Sequence, residues 1–172
     1  MRQTLFVVAF ASCTLAGCVT LPPEPTASST LESRSASNVV GHVALTEHKG
    51  AVHARVDLQG LAPGSEHGFH IHDKGDCSAP DASSAGGHFN PAGVAHGRAG
   101  SAPHHAGDAG SVLANAKGEV HTELLLDGVT LASGPLSIVG RSLVVHRDRD
   151  DYSSQPAGNA GPRVACGVIV AP

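Results

Sequence analysis

GGHFNPAGVAHGRAGSAPHHAGDAG, residues 86–110, decides how this chain is to be read. Glycine, proline and alanine punctuate it too densely for a helix face or a regular strand. It nevertheless carries His88, His96, His104, His105 and Asp108. A loop this long inside a compact domain is usually either functional or disordered. Four imidazoles and a carboxylate suggest that a metal orders it, since imidazole and carboxylate suit zinc and imidazole also suits copper. On composition alone the bland alternative stays open, a disordered His-rich segment that binds metal weakly.

Upstream, near the start of the 172-residue chain, Arg2 is followed by an apolar run, LFVVAFASCTLAG. The run is too short to span a bilayer and ends in small residues, which is the form of an export signal, so residues 1–17 are expected to be removed. Leu15-Ala16-Gly17-Cys18 resembles the bacterial lipobox, in which the cysteine is acylated and becomes the mature N-terminus. An ordinary signal with an incidental Cys18 is the alternative. Acylation of Cys18 would make a membrane a partner and place the protein in the cell envelope, periplasmic or extracellular. Residues 18–37, rich in Pro, Ser, Thr and Ala without visible periodicity, read as a lipidated flexible tether. Residues 38–172 read as one folded domain. The formal charge of -4, or -5 once Arg2 is lost, argues against nucleic acid as a partner. Of the four cysteines, Cys13 belongs to the signal and Cys18 to the lipid, which leaves Cys77 and Cys166. In an oxidising compartment they read as one disulfide, with two buried thiols as the alternative.

The domain itself alternates with period 2. In Asn38 to Glu47, Gly41, Val43 and Leu45 share a face; after His48-Lys49-Gly50, Val52, Ala54, Val56 and Leu58 share the next, opposite His53, Arg55, Asp57 and Gln59. That predicts a hairpin with one wet face, and puts His42 and His53 on it. In Gly68-Phe69-His70-Ile71-His72 the two histidines stand on one side of an extended strand, able to chelate one ion while Phe69 and Ile71 pack behind. Beyond the long loop, Ser111 to Ala116 and Glu119 to Leu126 read as another hairpin, with His121 on the surface. Leu136 to Val139 and Ser142 to His146 read as strands. His146 closes an apolar run, either as a satisfied core residue or as a ligand at the sheet's rim, and the other candidate ligands favour the second. Arg147 to Pro162 is a second long loop, and Arg163 to Val170 a last apolar strand carrying Cys166 inward. About eight strands, no helix pattern and two long loops predict an all-β, immunoglobulin-like Greek-key sandwich or flattened barrel. With only Phe69 and Phe89 as phenylalanines beyond the signal, its core rests on Val, Leu, Ile and Ala.

Jointly, GFHIH, GGHFNP, the spacing His88-x7-His96-x8-His105-x2-Asp108, GRSLVVH and RVACGVI resemble copper,zinc superoxide dismutase over nearly all of residues 38–172. The resemblance implies one copper and one zinc per subunit. By motif, copper would be held by His70, His72, His88 and His146, and zinc by His88, His96, His105 and Asp108, with His88 bridging and acting in catalysis as a proton donor. It selects His105 over His104, which becomes a spare. It gives Asp150 the part of accepting hydrogen bonds from His70 and His96, and Arg163 the part of a channel arginine for an anionic substrate, superoxide. Its expected work is dismutation of superoxide to oxygen and hydrogen peroxide outside the cytoplasm. The placement of Cys77 between His72 and His88 departs from the eukaryotic pattern and is closer to that of bacterial secreted members, and it leaves open whether the domain works alone or as a homodimer. A rival from another class is a copper-binding or copper-delivery lipoprotein on the same fold without turnover. The completeness of the ligand set and the presence of Arg163 weigh against it.

Overall fold

The computed structural model describes residues 24–172. The expected signal segment, Cys18 and the first part of the tether lie outside the described residues. Among the described residues eight strands run β1 (Thr26–Ser33), β2 (Val40–His48), β3 (Ala51–Gln59), β4 (Glu66–His72), β5 (Asp108–Leu113), β6 (Val120–Leu126), β7 (Ser142–His146) and β8 (Arg163–Val168), with one short 3-10 turn at Ser83–Ala85. Their order across the sheet is β5-β4-β7-β8-β1-β2-β3-β6, and every ladder is antiparallel. β6, β3, β2 and β1 form one layer, and β8, β7, β4 and β5 the other. The seam between them is the short pairing of Glu32 with Cys166 and Ser33 with Ala165. This is the expected Greek-key flattened barrel.

The core lies between the layers. Val43, Leu45, Val52, Val56 and Leu58 face Phe69, Ile71, Val112, Leu143 and Val145, all buried. The alternation read in β2 and β3 is therefore the alternation observed, and His42 and His53 are exposed as expected. β4 and β7 differ from these, because nearly every residue in them is buried on both faces. The outer face of their layer is covered by residues 73–107 and 147–162, the two long loops. The disulfide joins Cys77 in the first of these loops to Cys166 in β8, 89 positions apart, and Cys166 packs with Val144, Ala82 and Ala85. Closing a loop of that length contributes on the order of 4 kcal/mol in the chain-entropy model.

Three expectations are corrected. The expected tether contains β1, so the folded domain begins near Thr26 and not at residue 38. Ala27, Ser29 and Leu31 point inward in strict alternation. The pattern escapes a hydrophobicity reading because its middle member is a buried serine and its first a small alanine. Leu136 to Val139 is not a strand: Thr130 and Leu136 to Ile138 bond one another within a loop. Finally, β5 and β6 are consecutive but do not pair. They stand at opposite ends of the strand order, and the turn at Asn115–Glu119 carries the chain from one layer to the other.

Candidate metal centre

The alternation of β4 sends Phe69 and Ile71 into the core and His70 and His72 to the outer face, under the loops. β7 lies beside it, with Phe69 opposite Val145, and ends at His146. Register shifts occur at Gly68/His70 and at Val145/His146, irregularities of the kind that re-aim a side chain next to a site. The first loop is tied down onto β4 at both ends. Phe89 N–H donates to the Ile71 carbonyl at 2.8 Å, Ile71 N–H to the Gly107 carbonyl at 2.9 Å, and Gly107 N–H to the Phe89 carbonyl at 2.8 Å. A Cβ on Gly107 would run into the Ile71 carbonyl, so only glycine allows this approach. These bonds bring His88, from the loop's start, beside His105 and Asp108, from its end.

Two clusters result. Ligand atoms of His70, His72, His88 and His146 lie within 4.8 Å of one another, and so do those of His88, His96, His105 and Asp108. His88 belongs to both, and its ring centroid is 4.1 Å from that of His70. His104 belongs to neither; its side chain is half-buried, with Nε2 3.7 Å from Asp127.

The chemistry of the donor set fits metal. An imidazole that ligates a metal gives its other ring N–H to a carboxylate or carbonyl. His72 Nδ1 meets the Gly86 carbonyl at 2.9 Å and His146 Nδ1 the Gly161 carbonyl at 3.1 Å, which leaves their Nε2 atoms 3.3 Å apart. His70 Nε2 and His96 Nε2 donate to the two oxygens of the fully buried Asp150 at 2.8 and 2.9 Å. The remaining nitrogens, His70 Nδ1, His96 Nδ1 and His88 Nε2, are buried without a hydrogen-bond partner. His96 Nδ1 lies 3.0 Å from Asp108 Oδ1 yet makes no hydrogen bond to it, as expected of donors converging on a common point. Unpaired buried polar atoms are costly, and so many at one place call for a ligand.

Electrostatics sort the groups. Burial pushes the His70 imidazole down to about 4 and that of His146 to about 3, and it holds His72 well below the ordinary value, so all three are neutral at pH 7. His105 is also lowered by burial. His96 goes the other way: burial opposes its charge, but the Asp108 carboxylate beside Nδ1 and the hydrogen-bonded Asp150 at Nε2 prevail and raise it to about 9. Both carboxyls stay well below the usual range because imidazole hydrogen bonds outweigh their burial.

Arg163, half-buried at the start of β8, donates from Nη1 to the Ala82 carbonyl at 2.6 Å and from Nη2 to the Gly86 carbonyl at 2.5 Å. The Gly86 oxygen also receives His72, so the guanidinium and this imidazole share one anchor. The Arg163 charge reaches His72 and His146, where it disfavours protonation. A cavity of about 260 Å³, lined by residues that include His146, Gln155, Asn159 and Gly161, opens beside the cluster. A larger one of about 520 Å³ lies on the outer face of the opposite layer, around His42, Asp57 and His121, and touches no cluster residue. The sequence reading passed over His67, which is buried with Nδ1 2.9 Å from the His146 carbonyl and Nε2 2.5 Å from Ser65 Oγ. Only its place beside GFHIH could have drawn notice.

An antiparallel sandwich carrying two histidine clusters joined through one shared imidazole defines a dinuclear metalloprotein. The sequence model of copper/zinc superoxide dismutase (SODC) matches residues 39–169. The chain is 43% identical over 135 residues to superoxide dismutase [Cu-Zn] 2 of Aquifex aeolicus (strain VF5), covering 76% of this chain and 79% of that one. It is 40% identical to an extracellular superoxide dismutase [Cu-Zn] of Brugia pahangi, covering 77% and 69%. Among solved structures, the clock protein EA4 superposes with a TM-score of 0.77 at 37% identity, covering 88% of this chain and 98% of that one. A SOD-like protein from Bacillus subtilis gives 0.75 at 32%, covering 82% and 96%. The chain belongs to the copper/zinc superoxide dismutase family.

The shifted imidazoles give the metal-free protein a stability optimum in pH. For His70 and His146 the unfolded chain binds the proton more tightly, near 6.5, so stability falls as pH drops below that value. For His96 the folded chain binds it more tightly, so its contribution is complete below about 6.5 and lost as pH rises through about 9. Chemical unfolding of chelator-treated protein from pH 4.5 to 9 should show a maximum near 6.5, and His96→Gln should flatten the alkaline limb. An alkaline limb unchanged in His96→Gln would contradict the contacts described for that ring.

Proposed function

We propose that His70, His72, His88 and His146 hold copper, that His88, His96, His105 and Asp108 hold zinc, and that this pair of sites performs the dismutation characteristic of the family. The observation that carries the reading is that His88 belongs to both donor sets, with Nδ1 2.7 Å from Asp108 Oδ1 of the second set and Nε2 buried without a hydrogen-bond partner. Bound copper supplies one-electron chemistry, while bound zinc, which has no redox chemistry, supplies fixed charge and a closed structural site. The reaction takes two superoxide anions and two protons to O2 and H2O2.

The chain's own groups supply the rest. His70, His72 and His146 are neutral at pH 7 and so arrive as ligands without a proton to displace. His88 Nε2, buried and free of protein partners, is the atom at which a proton is held and then given to the reduced substrate. Asp150 fixes the tautomers of His70 and His96 by taking both Nε2 hydrogens. Arg163 binds and steers the anion: the chain is acidic overall, and a cation fixed against Ala82 and Gly86 provides the local positive field that the net charge does not. We further propose that residues 1–17 are an export signal and that Cys18 is acylated, anchoring the domain to an envelope membrane. Two of the relatives matched are extracellular enzymes, which supports an extracytoplasmic setting.

Three measurements test these roles. His146→Ala should bind zinc at the parent stoichiometry, lose copper and lose dismutation; loss of zinc as well would break the division of ligands. Arg163→Glu should lower the second-order rate constant by about tenfold or more and flatten its decline with salt at unchanged metal content, and an unchanged rate would make Arg163 purely structural. Cys18→Ser should move the protein from the membrane to the soluble fraction of the exporting cell; retention in the membrane would refute acylation there.

A further inference from the structure

His96 is held at every polar atom but one. Its ring Nε2 donates to Asp150, its backbone N–H donates to Gln155 Oε1 at 2.9 Å, and its backbone carbonyl accepts from Gln155 Nε2 at 3.0 Å. Only Nδ1 is left, and it points into the second cluster. A single amide side chain thus reads both backbone groups of one residue, as a neighbouring strand would, across 59 positions of sequence. Gln155 is itself fixed: its Nε2 also donates to the Ser153 carbonyl at 3.2 Å, and Pro156 follows it. A second tie lies close by, where the Arg98 guanidinium sits 3.8 Å from the centroid of the Tyr152 ring. The loop after β7 therefore grips the first loop at His96 and Arg98, through Asp150, Gln155 and Tyr152.

We propose that Gln155 is a positioning residue for the zinc site, setting the backbone of His96 so that Nδ1 faces the cluster while Nε2 meets Asp150. The proposal rests on the reading of His96 as a zinc ligand. Among these ties, Asp150 fixes where Nε2 lies but holds nothing of the backbone from which the ring projects. The amide of Gln155 fixes the Cα itself. Removing outer partners of a metal ligand commonly weakens metal binding 10- to 100-fold, and Gln155 is solvent-exposed, so about tenfold is the expected size.

The experiment uses the copper- and zinc-loaded protein. Zinc transfer to a chromophoric chelator and copper release are followed separately in the parent, Gln155→Ala, Gln155→Glu, Tyr152→Leu and His96→Ala, and the zinc site is also loaded with cobalt(II) for its ligand-field spectrum. Gln155→Ala should lose zinc about tenfold faster with copper release unchanged and with altered cobalt bands. Gln155→Glu, which keeps the acceptor for the His96 N–H but loses the donor to its carbonyl, should do the same. Tyr152→Leu, which loosens the loops without touching His96, should leave the cobalt spectrum of the parent. Parent-like zinc loss and cobalt bands in Gln155→Ala would overturn the proposal, as would equal acceleration of both metals with a lowered melting temperature. His96→Ala separates the two claims: if it keeps zinc, the ligand reading fails; if it loses zinc while Gln155→Ala behaves as the parent, only the role of Gln155 fails.

Discussion

The site depends on one arithmetic constraint: an imidazole has two nitrogens, and here one is tied to protein so that the other is left over. His72, His146, His70 and His96 each give one ring nitrogen to Gly86, Gly161 or Asp150. Asp150 matters most in this scheme because its two oxygens serve histidines of different clusters. Its carboxylate is fully buried, and a buried carboxylate without partners would be intolerable. With His70, His96 and the Tyr152 N–H all donating to it, the charge is compensated and both rings have a fixed orientation. Burial of the centre and satisfaction of its polar groups are thus one arrangement.

The fold supplies this by doubling the burial of one layer. β2 and β3 keep one face in water, whereas β4 and β7 are covered on both, by the core on one side and by loops on the other. The covering loops have little secondary structure of their own, so they must be fastened. The disulfide fastens Cys77 to β8, the Ile71–Phe89–Gly107 bonds fasten the loop to β4, and the loop after β7 fastens its middle. His70, His72, His146 and Asp108 stand on strands, whereas His88, His96 and His105 and the partners that orient the rings, Gly86, Asp150 and Gly161, stand on loops, so the site joins a rigid base to a fastened cover.

How much of this was legible varied with where the information sits. Val52, Ala54, Val56 and Leu58 announced β3 because alternation of apolar side chains is a property of the sequence itself. β1 was invisible because its inward set, Ala27, Ser29 and Leu31, is held in place by neighbouring strands rather than by hydrophobicity. The turn around Asn115 to Glu119 has hairpin chemistry, but local chemistry does not say which strands pair, and the two flanking it belong to different layers. The gathering of histidines in β4 and the long loop was readable from the sequence, whereas the proposed division of ligands and the parts proposed for Asp150 and Arg163 came only through family resemblance. The carbonyls of Gly86 and Gly161, and the amide of Gln155 on the His96 backbone, carry no signal, since any residue can offer a carbonyl and no pattern marks a side chain that binds backbone.

The early start of β1 has a consequence for reach. With Thr26 already hydrogen-bonded into the barrel, a lipid carried by Cys18 would be joined to the folded body by about eight residues, at most about 28 Å when fully stretched, and not by a leash of twenty. The barrel could then move no more than about three Debye lengths from the headgroups, and in the nearest part of that range surface charge alters the local concentration of small anions.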